Sequence, residues 1–94
     1  MSKKIISIEN LKKIISKLKV KRKKIVLCHG VFDLLHVGHI NYFQEAINYG
    51  DILVVSVTSD EYVNKGPNRP AFSEENRLKV LAALDIVDYV VLSK

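Results

Sequence analysis

Hydrophobic positions along this chain alternate between a helical and an extended rhythm. Ile8, Leu11, Ile15 and Leu18 recur at helical spacing, predicting an amphipathic helix over 8–19 with Ser7 as its N-cap. After a charged turn, Ile25-Val-Leu-Cys28 is a short continuous apolar run, which suits a strand buried on both faces. The helical period returns from about Val37 to Tyr49, with Ile40, Phe43 and Ile47 on one stripe and Gly50 as the stop. Ile52-Leu-Val-Val-Ser-Val57 is the strongest β signal in the chain. Polar Thr58-Ser-Asp60 follows, then Asn64-Lys-Gly-Pro-Asn-Arg-Pro70, whose glycine and prolines predict a loop. Ser73 is placed to cap a helix reaching about Leu84, with Glu74 and Glu75 in its first turn, and Tyr89-Val-Val-Leu92 reads as a third strand.

Helices alternating with strands in this order predict βαβ units joined by right-handed crossovers. The expected fold is α/β: a Rossmann-like parallel sheet with helices on both faces, ending after about three strands, with residues 1–94 as one domain. Ligands of such sheets bind outside the carboxyl ends of the strands. That edge is built here from residues 29–39, 58–60 and the 64–70 loop.

Composition narrows the class. The chain is 48% hydrophobic and 27% charged, which suits a globular domain. No apolar run approaches the roughly 20 residues that span a bilayer. The N-terminus lacks the apolar stretch of a secretory signal, and the single cysteine, Cys28, excludes an internal disulfide. These features predict a cytoplasmic protein without a membrane partner. The net charge of +5 is unevenly spread: residues 1–24 hold ten of the fifteen basic residues against Glu9 alone. A block such as Lys19–Lys24 could attract nucleic acid or anionic lipid. It is short and has no interleaved aromatics, so a solvated helix end is favoured and nucleic acid is not the expected partner.

The unusual residues cluster at the predicted ligand edge. In His36-Val-Gly-His39, two histidines three apart at a helix start share a face, so both imidazoles can reach one object. A helix start also offers unpaired N–H groups and partial positive charge. Gly38 has no Cβ, which lets a phosphate approach the backbone, and Gly30 could serve the same end. No further His or Cys cluster completes a zinc site, so no protein-held metal is expected. The arrangement suits an oligophosphate, and nucleotidyl transfer needs mainly positioning and electrostatics.

The stretch Gly30-Val-Phe-Asp-Leu-Leu-His-Val-Gly-His-Ile40 closely resembles the signature of the cytidylyltransferase-like nucleotidyltransferases. The resemblance continues through Gly50-Asp51, Thr58-Ser-Asp60, Lys65-Gly-Pro-Asn-Arg-Pro70 and Glu75-Asn-Arg77, covering about residues 4–93. Within that superfamily the leading helix and the Lys-Gly-x-x-Arg-Pro loop are most similar to domains that adenylylate a heptose 1-phosphate. Glycerol-3-phosphate cytidylyltransferases are the next most similar. The resemblance implies that His36, His39 and Lys65 bind the nucleotide phosphates and stabilise the transition state. It also implies nucleotide contacts from Gly30, Val31, Phe32, Asp33 and Gly38, and acceptor contacts from Asp60, Arg69 and Arg77. The implied substrates are ATP or CTP, with Mg²⁺ held mainly by the triphosphate, and a phosphorylated sugar or polyol; pyrophosphate leaves.

Two departures stand out. Many sugar-phosphate relatives carry Thr-Asn-Gly where this chain has Cys28-His29-Gly30. His29 could contact the nucleotide or cap the strand end, and the cap is favoured. Relatives also continue past the third strand to a Ser/Thr-rich motif that grips the phosphates and base, whereas this sequence stops at Lys94. An open strand edge is therefore expected, covered by a second copy of the chain or by a further C-terminal segment. A shortened, non-catalytic nucleotide-binding or assembly module is the alternative reading.

Overall fold

The strongest β signal of the sequence, Ile52–Val57, occupies the centre of a three-stranded sheet, where both of its faces are covered. A computed structural model describes residues 3–63 and 72–93. Its elements are α1 (Ile8–Val20), β1 (Ile25–Gly30), α2 (Val37–Ile47), β2 (Ile52–Thr58), a short 3-10 turn (Asp60–Tyr62), α3 (Glu74–Ala82) and β3 (Tyr89–Ser93). All strands are parallel in the order β1-β2-β3, with Cys28 opposite Val55 and Val55 opposite Val90. Every residue from Leu53 to Val57 is buried, which is why β2 shows no polar alternation.

Both crossovers advance in one direction, so right-handedness puts α2 and α3 on the same face of the sheet. There Cys28, Leu53, Val55, Val57 and Val90 form one core with Phe43 of α2 and Leu81 and Ala82 of α3. The opposite face carries His29, Val54, Ser56 and Val91, and α1 meets the sheet at β3. Ser7 and Ser73 cap their helices as expected, accepting from the N–H groups of Asn10 and Asn76.

The two sheet edges differ. The segment before α1 lies along β3, with Ile5 bridged to Val90 and hydrogen bonds from Ile6 N to Val90 O (3.0 Å) and from Val90 N to Lys4 O (2.8 Å). β1 has strand pairing on one side only, and its Leu27 is 62% exposed. The open edge expected from the sequence is therefore β1, the first strand in the chain.

Candidate active site

The carboxyl end of β1, at His29 and Gly30, opens onto a cleft of about 420 Å³. Its walls include Gly30–Leu34, His39 and Tyr42, so the expected nucleotide-site residues Gly30, Val31, Phe32 and Asp33 do meet there. Phe32 takes a left-handed backbone (φ 52°), which turns the chain inward and buries its ring. The ring lies 5.4 Å from Phe43 and edge-on to His39 at 5.6 Å. A Cβ on Gly30 would come within 3.0 Å of the Phe32 ring. Gly30 is thus small because Phe32 packs over it, a reason different from the phosphate approach expected. Asp33 Oδ1 accepts the N–H of Phe72 (2.9 Å), tying this turn to the segment before α3.

His36 is the N-cap of α2. Its Nδ1 accepts the N–H of Gly38 (3.0 Å), and His39 Nδ1 accepts the N–H of His36 (3.3 Å). The rings stand 4.3 Å apart, so the expectation that both imidazoles share a face is met. An Nδ1 that accepts a backbone N–H carries no proton. Both histidines are therefore held as neutral Nε2–H tautomers, with that donor left for a ligand. The His39 pKa is lowered from its ordinary value, first by burial and then by neighbouring His36, which keeps it neutral. Tyr42, which lines the cleft, has its phenol pKa pushed up, first by the neighbouring Cys28 side chain and then by burial.

Two expectations for this helix start are corrected. Three of its N–H groups are already engaged: Gly38 binds His36 Nδ1, and His39 and Ile40 bind His36 O. Nor is the space over Gly38 open to a phosphate. A Cβ there would lie 2.6 Å from His36 Cε1, so the missing side chain makes room for the imidazole that caps the helix. The helix dipole still favours an anion, but the donors offered to it are imidazole N–H groups.

Arg77 is also corrected, since it has no route to an acceptor. Its side chain is 1% exposed. Nη1 donates to the carbonyls of Val31 (2.8 Å) and Thr58 (2.7 Å), Nε donates to Phe72 O (3.1 Å), and Nη2 pairs with Asp60 Oδ1 (2.6 Å). One guanidinium thus clips the loops after β1 and β2 to the start of α3, which no isolated sequence window announces. Asp60, expected to contact the acceptor, spends one oxygen on this clip, while its side chain stays 40% exposed. Its N–H is bound by Glu74 Oε1 (2.9 Å). His29 does not cap the strand end: its Nδ1 is 3.0 Å from Ser56 Oγ on the adjacent strand. Lys65 and Arg69 lie outside the described residues. Tyr42 was missed by the sequence reading, although its position three residues after His39 puts it on the same helical face.

Among the described residues no three His, Cys, Asp or Glu side chains gather to hold a metal.

A parallel sheet with a capped His-x-Gly-His helix at its carboxyl edge defines a nucleotidyltransferase-type fold, and the chain belongs to the cytidylyltransferase-like family, whose profile matches residues 27–94. It is 50% identical over 91 residues to the "Bifunctional protein HldE" of Geobacter metallireducens, covering 95% of this chain and 19% of that protein. The protein of the same name from Citrifermentans bemidjiense is 54% identical over 72 residues, covering 74% of this chain and 15% of that one. The chain therefore spans about a fifth of the length of these relatives. Among solved structures, it resembles the lipopolysaccharide core biosynthesis protein of Thermoplasma volcanium. That match has a TM-score of 0.71 and 39% identity, over 77% of this chain and 59% of the other. No helix among the described residues is long and apolar enough to cross a membrane.

Proposed function

We propose that this chain forms the nucleotide site of a cytoplasmic nucleotidyltransferase. The enzyme would move AMP, or CMP, from a nucleoside triphosphate to a phosphorylated sugar or polyol. The observation that carries this reading is the pair of neutral imidazoles at the start of α2, each with Nδ1 engaged and Nε2–H free to donate. An acceptor phosphate oxygen attacks the α-phosphorus, the bond to the β-phosphate oxygen breaks, and pyrophosphate leaves. His36 and His39 hydrogen-bond the negative charge that develops on the phosphate oxygens, with Lys65 as a further cation. Magnesium enters on the triphosphate as part of the substrate. ATP is preferred to CTP, and a heptose 1-phosphate to glycerol phosphate, on the resemblance of the Lys65–Pro70 loop. The exposed β1 edge is where a second copy or further chain would pair, and it also supports the alternative of a module that binds nucleotide without turnover.

Pyrophosphate release with ATP or CTP, magnesium and a panel of sugar 1-phosphates tests the reading, with His39→Ala as control. Release that depends on the acceptor and collapses in the variant supports it. Nucleotide binding without release supports the module, and absence of nucleotide binding by the folded chain overturns both.

A further inference from the structure

We infer that His29, with Thr58, Tyr62 and Ser93, forms the subsite that holds the polyol body of the acceptor, making His29 a specificity-determining residue. This rests on the nucleotidyltransferase reading above. A second opening of about 410 Å³ lies at the same carboxyl edge, lined among the described residues by His29, Thr58, Tyr62 and Ser93. His29 also lines the cleft that holds His39, so the two spaces meet at its ring. A molecule whose phosphate reaches the histidine pair would pass His29 and place its remaining atoms in the second opening.

The chemistry of that opening suits a polyol. Its described lining has three hydroxyl side chains and one imidazole, with no carboxylate and no lysine or arginine. Hydroxyls both donate and accept, matching the hydroxyls of a sugar. Ser56 Oγ, 3.0 Å from His29 Nδ1, holds the ring and leaves Nε2 for a ligand.

The test is an amide and imidazole NMR titration of the full chain with two probes. Magnesium α,β-methylene-ATP is added first, then mannose 1-phosphate or glycerol 3-phosphate at millimolar concentration, with inorganic phosphate as control. The expected result is that the nucleotide shifts His36 and His39, while a sugar or polyol phosphate, but not inorganic phosphate, shifts His29, Thr58, Tyr62 and Ser93. Tyr62→Phe should weaken acceptor binding at least about fivefold and leave nucleotide affinity within about twofold, while His29→Ala, whose ring borders both spaces, should weaken acceptor binding by more than it weakens nucleotide binding. Acceptor shifts confined to His36, His39 and the cleft beside His39, no acceptor shifts at all, or unchanged acceptor affinity in both variants would overturn the subsite. Absence of nucleotide shifts in the first titration overturns the parent reading instead, so the two failures are told apart.

Discussion

His36 and His39 cap the same helix end reciprocally: His36 takes the N–H of Gly38, and His39 takes the N–H of His36. Each Nδ1 is occupied by a backbone donor, so one arrangement terminates α2 and orients two Nε2–H groups. Structure and chemistry are thus coupled at this pair.

The coupling separates the two alanine variants. On the proposed mechanism His39→Ala removes an imidazole donor to the phosphates and is expected to lower turnover about 10²–10³-fold. His36→Ala should lower turnover too, and should also cost about 1 kcal/mol of stability through the lost N-cap. Pyrophosphate release and thermal melts measure both effects, and near wild-type release by His39→Ala would contradict the mechanism.

The lowered His39 pKa sets a direction with pH. In the unfolded chain this imidazole takes up its proton near 6.5, and in the fold it does so at lower pH. Below 6.5 the unfolded state binds more protons, so the His39 contribution to stability is full above that value and is lost as pH falls through the folded pKa. An imidazole ¹⁵N titration should show His39 as the Nε2–H tautomer at neutral pH, with its midpoint below 6.5. A midpoint at or above 6.5 would contradict the capping geometry.

Gly38→Ala distinguishes the site from the helix. Alanine in place of glycine favours a helix by about 0.5–1 kcal/mol, while displacing the His36 ring forfeits a cap worth about 1 kcal/mol. The melting temperature should therefore barely move. Turnover should fall by at least about tenfold, because the new Cβ would lie 2.6 Å from His36 Cε1. Unchanged turnover would show that the orientation of the His36 ring does not matter.

Arg77→Met should behave as a stability defect. It leaves the carbonyls of Val31, Thr58 and Phe72 and the Asp60 carboxylate without their shared donor. The expected loss is about 3–5 kcal/mol, a fall in melting temperature of more than about 10 °C for a domain of this size. A variant that melts like the wild type but loses acceptor affinity would return Arg77 to the substrate site.

Much of the fold was legible because it follows from local periods. Ser7 and Ser73 announce their caps, Ile52–Val57 reads as a strand covered on both faces, and alternation of elements implies a parallel sheet. The observed boundaries differ modestly, with β1 reaching Gly30 and α3 ending at Ala82. The 3-10 turn at Asp60–Tyr62 and the Ile5 bridge to Val90 were not anticipated, since neither has a repeating pattern.

The sequence by itself determined the elements, their order and the edge on which the histidines lie, because periodicity, capping and crossover handedness act over short stretches of chain. Only the tertiary structure decided what those residues do there. Arg77 meets Val31 across 46 residues, and His29 meets Ser56 across 27, through a strand register that no local window contains. Burial then settles their roles: a guanidinium enclosed by carbonyls must bind them, since leaving them would strand its charge away from water. The His29 imidazole, held by Ser56 through one nitrogen, stays exposed at the same edge.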